Sequence, residues 1–248
     1  MDLLFDLGHS RLKWAYWAAG RLHAPGAVGW RDRPPAGVFE QLLGELEPPR
    51  RVAVAAVARG EPLQALQAAV RARWGLDAQL PPVTARCGQV RCGYVEPARL
   101  GFDRWAALIG AWARQPGRAA VVIDCGSAVT VDALAADGQH LGGVIIPGLD
   151  MMADAFYART GLPRGAVTND HELAARCTAD AVASGARIAV LGGIELALGR
   201  WAARLPDATQ WLTGGDALAL AADLPATLQL APHLVLEGLG QILDAEGG

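Results

Sequence analysis

The sequence predicts a duplicated α/β chain: two domains, each a mixed sheet flanked by helices. Three observations point there. LLFDLGHSRLKWAYWAAG (residues 3–20) and VVIDCGSAVTVDALAADG (residues 121–138) share one profile, an apolar run ending in Asp-x-Gly, a polar turn, a second apolar run and a glycine. Asp6 to Gly20 is fourteen residues, and so is Asp124 to Gly138. After the linker RQPGR (Arg114–Arg118) the order of elements begins again, which divides the chain into domains 1–117 and 118–248.

The first half opens with strand-like runs at Asp2–Leu7 and Arg11–Ala18, followed by Arg21–Trp30 after the Gly20 turn. Ala36–Glu47 is a helix, because Val38, Leu42 and Leu46 recur at four-residue spacing on one face. RVAVAAV (Arg51–Val57) is apolar without alternation, which suits a strand covered on both faces. A helix through Pro62–Trp74 and a strand near Gln79–Val83 come next. Phe102, Trp105, Ile109 and Trp112 then mark a helix that closes the half around Gln115. The second half repeats the opening, with strands at Ala119–Asp124, Ala128–Ala135 and His140–Ile146 and a helix from Pro147. A long helix over Thr178–Leu205, a strand at Thr209–Thr213, a short helix at Asp216–Ala222 and a last helix complete the chain. Outside the Asp-x-Gly turns the two halves share little sequence.

Composition narrows the function. Hydrophobic residues make up 52% of the 248 positions and charged residues 19%, enough for a large core and too few charges for a disordered chain. The net charge is −3 and no Lys/Arg run occurs, so nothing suggests a nucleic-acid partner. The N-terminus has no basic leader, and the least polar window, Ala181–Leu198, holds Arg187, Glu195 and glycines; it reads as a buried helix rather than a membrane span. Cys87, Cys92, Cys125 and Cys177 are scattered and read as reduced thiols of a cytoplasmic protein.

The repeated hairpin suggests phosphate chemistry. A tight turn of glycine and hydroxyl residues lets backbone N–H groups approach a phosphate, since glycine has no Cβ in the way. Ser10 and Ser127 add hydroxyl donors. A carboxylate at the strand end repels phosphate unless a cation lies between them, so Asp6 and Asp124 make sense beside metal ions or their waters. Two such hairpins explain the duplication if each grips part of one nucleotide triphosphate across a cleft. Neither a G-x-x-x-x-G-K-[ST] loop nor a G-x-G-x-x-G fingerprint is present. Lys13, seven residues beyond Asp6, can face solvent on the polar side of its strand or reach back to phosphate; the pattern leaves both open.

Gly101-Phe102-Asp103-Arg104 stands at a helix start, where free N–H groups and the dipole favour an anion. Asp103 complements that dipole, but Arg104 at the same end does not. The pair suits a task instead: Arg104 to hold a carboxylate bidentately and Asp103 to accept a hydroxyl proton.

On these residues the chain resembles a type III pantothenate kinase. That family's Asp-x-Gly-Asn-Thr-x-x-Lys is similar to Asp6–Lys13, its Gly-x-Asp-Arg to Gly101–Arg104, and its Asp-x-Gly-Thr-Ala-x-Thr to Asp124–Thr130. GGVIIPGLDMM (Gly142–Met152), Thr178 with Ser184-Gly185, TGGDA (Thr213–Ala217) and LVLEGL (Leu234–Leu239) extend the resemblance over the whole length. It implies the fold shared by acetate and sugar kinases, heat-shock chaperones and actin. It also implies phosphorylation of pantothenate by ATP at the first step of coenzyme A synthesis, by a homodimer needing magnesium and a monovalent cation, potassium or ammonium. Carried over, Asp103 is the proton acceptor, with Tyr94, Gly101, Phe102, Arg104 and Thr178 around pantothenate. Asp6, Leu7, Gly8, His9, Ser10, Arg11, Leu12 and Lys13, with Ser127, bind the ATP phosphates, and Asp124 the monovalent ion. Ser10 and Ser127 stand where the family has threonine, and keep the hydroxyl. His9 replaces an asparagine, and since histidine is the residue type whose charge changes near neutral pH, ATP affinity is expected to weaken as pH rises through that range. The alternatives are a non-catalytic regulatory relative of the same fold, or a kinase acting on another small hydroxy acid or sugar.

Overall fold

A computed structural model describes residues 1–171 and 173–246. The first sheet is built from β1 (Asp2–Leu7), β2 (Arg11–Ala18), β3 (Arg21–Gly29), β4 (Val52–Ala56) and β5 (Ala78–Gln79), in the order β3-β2-β1-β4-β5. β1 and β2 are antiparallel and β1 and β4 parallel. α1 (Pro35–Glu45) connects β3 to β4, and α2 (Glu61–Trp74) connects β4 to β5. A two-residue pair, β6 (Arg86–Cys87) with β7 (Val90–Arg91), precedes α3 (Phe102–Arg114). The second sheet has the order β10-β9-β8-β11-β12, from β8 (Ala120–Cys125), β9 (Ala128–Leu134), β10 (His140–Pro147), β11 (Thr209–Thr213) and β12 (Gln229–Leu230). Its helices are α4 (Leu149–Thr160), α5 (Thr178–Ala202) and α6 (Ala217–Leu220), and α7 (Leu234–Glu246) ends the described chain. The two mixed sheets with flanking helices are the duplicated architecture the sequence predicts.

By packing, the chain divides into two units. One comprises Met1–Ala120, Leu134–Gly142 and the segment from His233; the other comprises Val121–Ala133 and Gly143–Pro232. In the first, strand alternation sorts side chains onto two faces. Leu3, Phe5 and Leu7 of β1 join Leu12 and Tyr16 of β2, Val52 and Val54 of β4, and the apolar stripes of α1 and α2 in one core. Asp2, Leu4 and Asp6 therefore face the other way, toward α3 and α7, which pack against each other and against β1 and β4. β1 is buried on both sides, which is why its sequence barely alternates. β3 lies at the sheet edge and is mostly exposed, so Pro25 costs it no ladder bond inside the sheet.

The expected strand at Gln79–Val83 is only Ala78–Gln79, since Pro81 and Pro82 follow and supply no amide hydrogen to a ladder. The long helix ends at Ala202 rather than Leu205. Among the described residues α5 is the helix long and apolar enough to cross a membrane, with a mean hydropathy of 1.5 over its best window, of which 33% is buried. It also carries the buried Arg187, whose Nε donates to Asp223 (3.0 Å). In the second unit Val190, Ile194 and Leu198 of α5 pack with Val121, Ile123, Val129, Val131 and Leu212 of the sheet.

α3 and α7 approach at backbone distance. A Cβ on Gly238 would collide with the Ala106 carbonyl oxygen, one on Gly110 with the Leu234 carbonyl, and one on Gly240 with the Trp17 ring. Trp17 Nε1 donates to Asp244 Oδ2 (2.9 Å), and the Arg114 guanidinium pairs with Glu237 through two bonds of 2.6 Å. Gly238→Ala is expected to lose about 1–3 kcal/mol, the usual range for overpacking. Gly192→Ala in α5, where nothing lies within 4 Å, should be neutral or gain about 0.5–1 kcal/mol. Thermal melts of the two variants check this; equal melting temperatures would mean that α3 and α7 are not in close contact.

Candidate active site

Asp6 sits one residue from the end of β1 and pairs in register with Lys13 of β2. Residues directly opposite on neighbouring strands share a face, so the Lys13 ammonium lies with Asp6 on the α3 and α7 side. Register thus puts Lys13 on the same face of the sheet as Asp6. The turn between the strands is closed by the Gly8 amide donating to the Arg11 carbonyl (3.0 Å), and the Trp30 amide donates to the Ser10 carbonyl (3.0 Å). Leu7 and Leu12 are core side chains, so only their backbone is available to a ligand. His9 and Arg11 are exposed, while Gly8, Ser10 and Lys13 are half-buried.

Asp103 lies in the first turn of α3, after Gly101, whose carbonyl accepts from the Trp105 amide (3.1 Å). A Cβ on Gly101 would stand 2.6 Å from Asp103 Oδ1, so the carboxylate folds back over the helix start. It also reaches Asp6 electrostatically. The Asp6 pKa is raised to about 6, chiefly by desolvation, with the Lys13 ammonium opposing and the Asp103 carboxylate adding to the rise. Two carboxylates and one lysine in this arrangement suit a site that receives a cation together with phosphate oxygens.

Arg104 is buried at 5% exposure. Its Nη1 donates to Tyr94 Oη (2.8 Å), and its guanidinium carbon lies 5.5 Å from the Tyr94 ring centroid. Phe102 and Tyr94 are half-buried. The first unit therefore brings Asp6, Lys13 and Asp103 together, and Arg104 with Tyr94.

In the second unit, Asp124 and Ser127 flank the β8–β9 turn, which is closed by the Gly126 amide donating to the Ala128 carbonyl (3.1 Å). The Gly148 amide donates to the Ser127 carbonyl (3.0 Å) at an approach that leaves no room for a Cβ. Gly214, at φ +107°, packs on the backbone of Cys125, and the Asp216 amide donates to the Cys125 carbonyl (2.9 Å). Burial first, then the Asp124 and Asp216 carboxylates, push the Cys125 thiol up to about 12. Asp216 was legible only as part of TGGDA and had no role in the sequence reading. Thr178 is exposed at the start of α5 and is not part of the β8–β9 turn. The segment before it is tied down by Asp180, whose carboxylate accepts from Thr168 Oγ1 (2.7 Å), the Thr168 amide (2.7 Å) and the Asn169 amide (3.2 Å). These bonds hold the Asp180 pKa down to about 2.

Among the described residues no group of three or more His, Cys, Asp or Glu side chains is placed to hold a metal alone. His233 was missed by the sequence reading. It precedes α7, feels the Lys13 charge, and its pKa is lowered, first by burial and then by Lys13. No spacing or motif marks it.

The family model and the most similar curated relatives agree on one family. A family model described as type III pantothenate kinase matches residues 2–200. The type III pantothenate kinase of Alkalilimnicola ehrlichii is 40% identical over 252 residues, covering 99% of this chain and 98% of its own. That of Halorhodospira halophila is 36% identical over 247 residues, covering 96% of each. Among solved structures, a Campylobacter jejuni protein described as a Baf family transcriptional activator matches 99% of this chain and 98% of its own, with a TM-score of 0.58 at 21% identity. The activator of 2-hydroxyisocaproyl-CoA dehydratase from Clostridium difficile, with bound ADPNP, matches 98% and 93% at 0.54 and 15%. At those identities the two structures bear on the fold alone.

The raised pKa of Asp6 has a signed consequence. Between the unfolded value near 4 and the folded value of about 6, the native state holds the proton more tightly, so stability falls as pH rises through that window. Below it Asp6 is protonated in both states and costs nothing; above it the full penalty is present. Asp6→Asn removes the titration, so its melting temperature should overtake the parent's progressively from about pH 4 to about pH 6. Parallel melting curves across that range would mean that Asp6 ionises as a solvated carboxylate.

Proposed function

The chain belongs to the type III pantothenate kinase family, with its actin-like α/β fold, so its activity is the phosphorylation of pantothenate by ATP at the first step of coenzyme A synthesis; we propose that the residues around Asp103 carry it. The observation behind this assignment is the shared electrostatic neighbourhood of Asp6, Lys13 and Asp103 at the start of α3. Asp103 accepts the proton of the primary hydroxyl of pantothenate as its oxygen attacks the γ-phosphorus in line, and the bond from that phosphorus to the β,γ-bridging oxygen breaks to release ADP. Arg104 holds the pantothenate carboxylate, with Tyr94, Gly101, Phe102 and Thr178 beside the substrate. The Asp6–Lys13 segment binds ATP phosphates through turn amides, the Ser10 hydroxyl and the Lys13 ammonium, and Ser127 adds a hydroxyl from its own turn. Asp6 fits magnesium, which when bound neutralises phosphate charge, and Asp124 fits potassium or ammonium, with Asp216 close enough to share its field.

The same reading includes a cytoplasmic homodimer. Support for the dimer lies in the second unit, where Ile145 of β10, Phe156 of α4, and Ile188 and Leu196 of α5 are exposed apolar side chains. The four free cysteines suit a reducing compartment.

A coupled assay with pantothenate and ATP, with and without potassium, tests the assignments. Asp103→Asn keeps the shape and removes the base; turnover should fall about a hundred- to ten-thousand-fold while calorimetric ATP binding persists. Turnover within about threefold of the parent would reduce Asp103 to a helix-start carboxylate. Asp124→Ala should lose activation by potassium with its melting temperature retained, and equal activation in a folded variant would move the ion elsewhere.

A further inference from the structure

The turn leading into β10 is stapled to the loop that carries Tyr94. Arg91 makes four bonds to it: amide to the Gly138 carbonyl (2.8 Å), Nε to Gln139 Oε1 (3.1 Å), Nη1 to the Asp137 carbonyl (3.1 Å) and Nη2 to Asp137 Oδ2 (2.8 Å). Two residues on, Gly93 lies so near the His140 carbonyl that a Cβ has no space, and its amide donates to His140 Nδ1 (3.4 Å). His140 is buried at 1% exposure. Its ring lies 11° from parallel with Tyr94, at 6.1 Å between centroids, an offset stack. The same tyrosine then meets Arg104, through its hydroxyl and its ring.

We propose that His140 is a positioning residue for pantothenate binding: it holds the Tyr94 ring, and through it the Arg104 guanidinium, at the angle at which the arginine meets the substrate carboxylate. The proposal rests on the assignment of Tyr94 and Arg104 to pantothenate. Tyr94 adjoins Val95, which is fully exposed, so its own loop offers little to fix the ring. The buried imidazole does. Its plane is set on one edge by the Gly93 amide and its face packs on the tyrosine. An arginine carries much rotamer freedom, and a partner already locked in place removes part of the ordering that substrate binding would otherwise impose.

Steady-state kinetics separate this from a purely structural role. His140→Leu removes the flat ring, and its KM for pantothenate should rise roughly three- to tenfold, the loss of one aromatic pair. Its kcat and its KM for ATP should stay within about twofold. His140→Phe restores a ring and should recover most of the pantothenate KM. Because His140 acts through Tyr94, the double variant His140→Leu/Tyr94→Leu should be little worse than Tyr94→Leu alone. If His140→Leu fails to fold by thermal melt, His140→Asn, which keeps an acceptor for the Gly93 amide but no flat ring, is expected to give the same rise. An unchanged pantothenate KM in the folded variant, an equal rise for ATP, or full additivity in the double variant overturns the proposal. Arg104→Lys tests the premise separately: an unmoved pantothenate KM there removes Arg104 from the substrate site, whereas a rise there without one in His140→Leu overturns the positioning role alone.

Discussion

The backbone contact between α3 and α7 is the constraint on which the catalytic assignment of the first unit depends. Gly238 against the Ala106 carbonyl and Gly110 against the Leu234 carbonyl bring the helices closer than any side chain would allow. The pair then covers the sheet face to which Asp6 and Lys13 point. That closeness sets where the start of α3 falls, and so whether Asp103 can act on Asp6. The glycines carry no chemistry. They determine the distance at which chemistry is available.

The electrostatics follow from that placement. A carboxylate under a helix start, next to a second carboxylate, is poorly solvated and reluctant to ionise, and the cross-strand lysine only partly offsets this. Such a site is better balanced with a cation and a polyphosphate than without them. Under the proposed assignment binding energy and local stability are coupled: the protein tolerates an unfavourable ionisation in the free state that a nucleotide with its metal would relieve. The Asp2 carboxylate on the same face is the contrast. Burial would raise its pKa too, but hydrogen bonds from Arg50 and Arg51 outweigh it and hold the group below its usual value.

Much of this was legible in the sequence because it rests on local periodicity. The β1 and β2 boundaries, the helix marked by Phe102, Trp105, Ile109 and Trp112, and the helix start after Gly101 were all readable from spacing and turn residues. The orientation of Lys13 was not, because one strand gives alternation but no partner, and only the pairing with Asp6 decides the face. The two-residue strands β6, β7 and β12 are too short for any period. His140 and His233 carry no motif; their surroundings come from segments 47 positions away in one case and from Lys13 in the other. Nor does linear order announce that Leu134–Gly142 and the C-terminal helix pack with the first unit.

Cys125 adds a consequence of a different kind. It lies next to the carboxylate assigned to the monovalent ion, inside a turn that a bulky adduct would wreck, yet it is a cysteine rather than an inert residue. Its thiol, pushed up to about 12, stays protonated at neutral pH, and the thiolate is the species that peroxide and electrophiles attack. Burial first, and then the negative field that suits the site to a cation, keep its sulfur dormant. Oxidative ageing of this enzyme should begin at the exposed Cys177, far down the chain from that turn, and leave the β8–β9 hairpin chemically young.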